Sequence, residues 1–184
     1  MLYDNDTFQR GGREFTFRTE FDDTHGAPWV EEDGHGVVSD WTRREKAPGE
    51  RVLICDRSSK RYYDIAATTK IARRDGWGLC DADKAKLAAR LGRTPTRGDI
   101  VAEAVDRDYD HLRRWCADLW QYVGVIVAHE ETGEYESLWG IESEDADYLE
   151  MTAFELADQI NAHLDAKLAA TIAESRPDMA PNYL

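Results

Sequence analysis

The sequence predicts an α+β fold, a mostly antiparallel sheet with helices packed on one face and a long C-terminal helix. Three observations lead there. In residues 13–22, REFTFRTEFD, Phe15, Phe17 and Phe21 recur at period two, the spacing of a half-buried strand. YVGVIVAHE and EYESLWGI form two apolar runs joined by a turn at Glu131-Thr132-Gly133, which predicts a hairpin. Stretches of helical spacing lie before and after that hairpin. Strands and helices grouped in runs, without strict strand–helix alternation, are the pattern of an α+β domain.

In chain order, residues 13–22 give the first strand. Residues 23–48 carry Gly, Pro and carboxylates without periodicity and read as loop. ERVLICD, residues 50–56, and RYYD, residues 61–64, are two further strands separated by a short turn. Asp64 is placed to cap a helix running to about residue 74 and closed by Gly76. DADKAKLAARLG, 81–92, is a short helix ending at Gly92, and 92–99 a linker. A helix over 98–120 follows, with Val101, Val105, Tyr109, Leu112, Cys116 and Leu119 as its apolar stripe. After the hairpin, residues 145–174 form the last helix, with acids in its first turn suiting the positive end of the helix dipole.

The totals set the scale. A chain of 184 residues with 42 % hydrophobic content, 6 Trp, 8 Tyr and 5 Phe has the material for one packed domain. That domain is expected over 1–176, with 177–184 a frayed tail. No apolar run reaches the roughly 18 residues a membrane helix needs. The start, MLYDNDTFQR, has no basic-then-apolar leader pattern, which predicts a protein that stays in the cytoplasm. Cys55, Cys80 and Cys116, odd in number and far apart, read as reduced and mostly buried thiols.

Net charge is −14, and it is uneven. Residues 19–42 hold seven acids and no base; residues 43–114 hold 18 bases against 12 acids; residues 115–166 hold 13 acids and no Lys or Arg. Surfaces normally interleave both signs, because like charges repel and destabilise the compact state. Such asymmetry points to a charged partner.

On a helical wheel of the last helix, Leu149, Ala153, Leu156, Ile160 and Leu164 share one face. Glu144, Asp147, Glu155, Asp158 and Asp165 fall opposite, with Tyr148 and Met151 among them. The hairpin adds Glu130, Glu131, Glu134, Glu136 and Glu142. Duplex DNA carries roughly one negative charge per 1.7 Å of axis, and carboxylates along a helix and a hairpin can imitate part of that field. These twelve residues are the candidate partner-binding set, each carboxylate standing in for a phosphate and Tyr148 and Met151 serving as anchors. A plain solvated acidic face is the competing reading, and Tyr148 with Met151 would serve a homodimer equally well.

HGAPWVEEDGHGVVSDW, residues 25–41, gathers two histidines, four carboxylates and two tryptophans. His25, Glu31, Asp33 and His35 would suit a mixed nitrogen and oxygen metal site, the centre of a small metal-dependent enzyme. The spacing matches no helix-borne zinc motif, and glycines, Pro28 and two tryptophans also suit a structural loop pinned to a core. Arg43, Arg44, Arg57, Lys60, Arg61, Arg73, Arg74, Arg90, Arg93 and Arg97, interspersed with Trp41, Tyr62, Tyr63 and Trp77, have the composition of a single-strand nucleic-acid surface. Against that stands pairing with the chain's own acids, one use of which is to hold the acidic loop in place. Asp106-Arg-Asp-Tyr-Asp110 resembles the start of a calcium loop, but His111 and Ala117 occupy the positions that need Gly and Glu.

DGHGVVSDWTRREKAPGE, SKRYYDIAATTKIARRDGWG and ESLWGIESEDADYLE together resemble a family of small, uncharacterised acidic proteins encoded by tailed phages and prophages. The resemblance covers residues 13–78 and 116–157. It implies no activity, cofactor or catalytic residue. It implies a context, host cytoplasm early in infection, in which such proteins act on host enzymes. The expectation is therefore a binding protein without enzymatic activity or cofactor. Its partner would be the basic surface of a host DNA- or RNA-processing defence complex, of the CRISPR or restriction type, engaged without direct contact to nucleic acid or membrane.

Overall fold

The computed structural model describes residues 2–175. In chain order the elements are β1 (Thr7–Arg10), β2 (Arg13–Phe21), α1 (Pro28–Glu31), β3 (Val37–Val38), β4 (Glu50–Asp56), β5 (Ser59–Asp64), α2 (Ile65–Asp75), α3 (Asp81–Leu91), α4 (Arg97–Trp115), β6 (Tyr122–His129), β7 (Tyr135–Glu142) and α5 (Ala146–Ser175). The fold is α+β, every strand pairing is antiparallel, and the C-terminal helix is the longest element. None of the described helices is long and apolar enough to cross a membrane. The expected tail, 177–184, lies outside the described residues. The chain forms two compact units, residues 1–24 with 121–184, and residues 25–120.

The first unit is built on a four-stranded sheet of order β1-β2-β6-β7. The near-continuous apolar run of β6 makes it the natural interior strand, and it is buried along almost its whole length. It pairs with β2 so that Phe15 faces His129 and Phe17 faces Val127. Phe15, Phe17, Val123, Val125, Val127 and Ile141 pack against Ala153, Leu156 and Ile160 of α5, from the stripe that the wheel predicts, and against Ala157 beside them; Leu149 and Leu164 of that stripe are partly buried against the same core. The β6–β7 register shifts between Val123 and Val125. Gly124 is required there, because a Cβ would lie 2.5 Å from the Trp139 ring. Asp145 caps α5, its carboxylate accepting from the Tyr148 amide at 3.0 Å.

β1 has no counterpart among the sequence-predicted elements. It is a four-residue edge strand with a single apolar residue, Phe8, too short to show alternation. What fixes it is tertiary. Asn161 of α5, buried at its end of the core, donates to the Arg10 carbonyl at 3.2 Å and accepts from the Arg13 guanidinium at 2.8 Å. The β1–β2 turn is thereby fastened to the helix.

The second unit has its own three-stranded sheet, β3-β5-β4, so the single sheet expected from sequence is two. Leu53, Tyr63, Ala72, Val101, Val105 and Leu112 form its core, with Trp29, Trp77 and Tyr109 packed around them. The caps of α2 are as predicted: Asp64 accepts from the Ala67 amide at 2.8 Å, and Gly76 closes the helix at φ 78°. The expected linker is shorter than 92–99, because Thr96 and Asp99 form a capping box that starts α4. That helix stops at Trp115 and not at 120, since Asp118 takes a left-handed φ of 53°. The loop over 23–48 contains the short α1 and β3. The thiols are free, but Cys55 and Cys80 are exposed, contrary to expectation. Only Cys116 is half-buried, and burial pushes its thiol up to about 11.

Candidate interaction surface

The charge divides along the same line as the fold. The unit of residues 1–24 and 121–184 holds 20 acids and 5 bases, net −15; residues 25–120 hold 17 acids and 18 bases, net +1. The whole excess of negative charge therefore belongs to the first unit.

The sequence-predicted carboxylates of that unit fall into two groups. Three serve the fold. Asp158 accepts a two-point hydrogen bond from Arg10 at 2.8 and 2.7 Å, and the guanidinium holds its carboxyl below the usual range. Asp165 receives Arg13 at 2.6 Å. Glu134, at the hairpin turn, is paired with Lys167, and that bond lowers its pKa. The wheel put Asp158 and Asp165 opposite the core, but they lie on the flank above the β1–β2 turn, where two arginines reach them.

Glu130, Glu131, Glu136, Asp147 and Glu155 are exposed, and no ion pair is formed by them among the described residues. Glu144 is exposed, and Glu142, at the end of β7, is half-buried. Tyr148 and Met151 are 42 % and 48 % exposed on the outer side of α5, as expected. On β7, Tyr135, Leu138 and Trp139 are exposed as well, and these the sequence reading missed. They lie on a strand whose outer edge has no partner among the described residues. Carboxylates and large apolar side chains are thus both exposed on this unit.

The loop over 25–41 is held by a buried polar network within its own unit. Asp108 of α4 accepts from the Tyr63 hydroxyl at 2.6 Å and from the Gly36 amide at 2.8 Å, and bonds His35 Nδ1 at 2.7 Å. Burial, reinforced by the Asp108 carboxylate, raises the Tyr63 hydroxyl far above its usual pKa, so it stays a donor. The Val37 amide donates to Thr68 Oγ1 at 2.9 Å. Arg61 lies over both loop tryptophans, its guanidinium carbon 5.6 Å from the Trp29 ring centre and 5.3 Å from that of Trp41. The four residues proposed as metal ligands are drawn to different partners. His35 turns to Asp108, Glu31 lies against Gly26, and Asp33 is exposed. Glu32 is the carboxylate near both rings, 3.8 Å from His25 Nε2 and 4.0 Å from His35 Nε2. The arrangement is that of a structural loop.

The basic segment largely spends its charge on its own acids. Arg51 pairs with Asp106, Arg90 with Glu103, Arg93 with Asp99, and Arg74 with Asp75. Arg44 makes a two-point bond to Glu50 at 2.7 and 2.5 Å, and the Ala47 amide adds 2.7 Å. The Arg44 hydrogen bond is the main reason that the Glu50 carboxyl falls to about 2 from an ordinary 4.5. A lowered folded-state pKa stabilises the fold above the unfolded value and loses that contribution as pH falls toward the folded one. Wild type is therefore expected to exceed Glu50→Gln in stability above about pH 4.5, with the gap closing toward pH 2, measured by denaturant midpoints across that range. A gap independent of pH would assign the effect to shape alone.

Comparison of the chain with protein-family models, with curated proteins and with solved structures gives no match.

Proposed function

We propose that this protein works by binding, and that the unit of residues 1–24 and 121–175 presents an acidic surface to a basic, nucleic-acid-gripping surface of another protein. The observation that carries the reading is the confinement of all the net negative charge to this unit, around exposed Tyr148 and Met151. Glu130, Glu131, Glu136, Asp147 and Glu155 replace phosphates opposite Lys and Arg of the partner, and the two apolar side chains enter pockets between them. Glu142 and Glu144 border this set. Asp158, Asp165 and Glu134 hold the surface together from beneath. Asp147 and Glu155 are eight positions apart on α5, about 12 Å along its axis. That stretch of duplex carries roughly seven charges, so the imitation is partial, and the aromatic and thioether contacts supply the remaining specificity. The resemblance to phage and prophage proteins makes a host nucleic-acid-processing defence complex, of the CRISPR or restriction type, the partner to test first.

The test is capture from host lysate on the immobilised protein, at low and high salt, with and without competitor duplex DNA. The expected result is a retained DNA- or RNA-processing complex that competitor DNA displaces and salt weakens steeply. Retention that neither competitor DNA nor salt disturbs, or no retention of any basic protein, overturns the reading.

A further inference from the structure

α5 runs past the sheet it packs on. Leu156, Ile160 and Leu164 follow one another at i,i+4 spacing, the first two buried and the third half-buried. The same ridge continues as Leu168 and Ile172, which are 56 % and 50 % exposed, and every residue from 165 to 175 is exposed. Eleven helical residues, about 16 Å of helix, thus extend an apolar ridge that none of the described residues covers. Alanines at 166, 169, 170 and 173 keep this stretch strongly helical and let another helix approach closely.

We propose that this overhang is the seam of a homodimer, in which two copies of α5 cross antiparallel about residues 168–172. Charge selects a second copy. Between residues 166 and 175 the only charged side chains are Lys167 and Glu174, so the overhang is neutral while its unit carries −15. Two such units can approach there with few opposing carboxylates. The antiparallel direction follows from two facts. It sets Leu168 of one copy against Ile172 of the other, a self-complementary contact as two-fold symmetry requires. It also brings Glu174 of the other copy beside Lys167, whose ammonium pairs with Glu134 of its own chain and has further donors to give, because both lie on the same flank of the ridge, and same-flank positions face each other in antiparallel pairs. Parallel pairing would set opposite flanks against each other, which parts Lys167 from Glu174, and would draw the acidic bodies together. Leu168 and Ile172 from each copy make a small interface, which places the dissociation constant in roughly the micromolar range.

Sedimentation velocity of the full chain over a concentration series reads this directly. Wild type is expected to shift from monomer to dimer. Leu168→Glu or Ile172→Glu should raise the dissociation constant by about 30-fold or more, the loss of a central anchor. Helical circular dichroism should stay unchanged, because both side chains are exposed. Glu174→Lys should weaken the dimer about five-fold. Tyr148→Glu should leave the dimer intact, although it impairs the acidic surface, so failure here and failure of the proposed function are told apart. A wild-type chain that stays monomeric to near-millimolar concentration overturns the proposal. So does a dimer that neither Leu168→Glu nor Ile172→Glu loosens.

Discussion

Asp108→Ala should destabilise the unit of residues 25–120 by about 3–5 kcal/mol, the usual cost of removing one partner from a buried charged network. Three groups would lose their acceptor together: the His35 ring, the Tyr63 hydroxyl and the Gly36 amide. Tyr63 is fully buried, and the Asp108 side chain is only 9 % exposed, so water does not readily replace the carboxylate. Gly36 cannot yield, because a Cβ there would meet the Tyr63 ring at 2.4 to 2.5 Å. The loop therefore depends on a close contact of glycine and tyrosine with a carboxylate behind it. Asp108→Asn keeps one acceptor but turns an amide toward another donor, and should cost less, about 1–2 kcal/mol. Denaturant midpoints measure the first effect. Amide exchange at Gly36 and Val37, together with the fluorescence of Trp29 and Trp41, reports whether the loop lifts from the core. A loss under about 1 kcal/mol for Asp108→Ala would show that the network is dispensable to the fold.

That network also marks the limit of reading a chain locally. The caps at Asp64 and Gly76, the two strands of the β6–β7 hairpin and the buried stripe of α5 have local signals, and the structure has them. Asp108 has none. It sits in a run of charged helix residues, and its partners Tyr63 and His35 are 45 and 73 positions away. The same holds for Asp158 and Asp165, whose arginines are 148 and 152 positions distant. A wheel places carboxylates by angle, but it cannot say which flank a distant hairpin will cover. β2 pairs with β6 across a hundred residues of intervening chain, and this is why one sheet was expected where two form. Thr96 and Asp99 did have a legible capping pattern, three residues apart, masked by the turn-forming glycines and proline around them. The charge asymmetry was legible in full, because it is a property of composition, and the division into two units gives it a physical boundary.

The triple variant Glu136→Lys, Asp147→Lys, Glu155→Lys should abolish binding to a basic partner while leaving the fold intact, a loss of affinity of about 100-fold or more. These three are exposed and form no ion pair among the described residues, so reversal breaks no pair and costs only the contact of Asp147 with the positive end of the α5 dipole. Each change replaces attraction to a Lys or Arg with repulsion, and unpaired like charges across an interface cost more than a lost rim contact. Net charge alone could produce part of the effect through slower encounter, and a matched control separates the two. Asp33→Lys, Glu45→Lys and Asp81→Lys, all exposed and all in the other unit, change the total charge equally. If binding depends on a placed surface, the first triple loses it and the second keeps most of it, with only the association rate and its salt dependence reduced. If both triples lose binding alike, the acidity acts as a diffuse field and Tyr148 and Met151 are not anchors. Reversing Asp158 and Asp165 instead changes the surface charge by two residues where each triple changes three, but strikes Arg10 and Arg13, so its first consequence is a looser β1–β2 turn, seen as faster amide exchange at Arg10 and Arg13. On the proposed reading the acidic helix has two separable jobs, one flank holding the β1–β2 turn and the other facing a partner, and the two sets of reversals pull them apart.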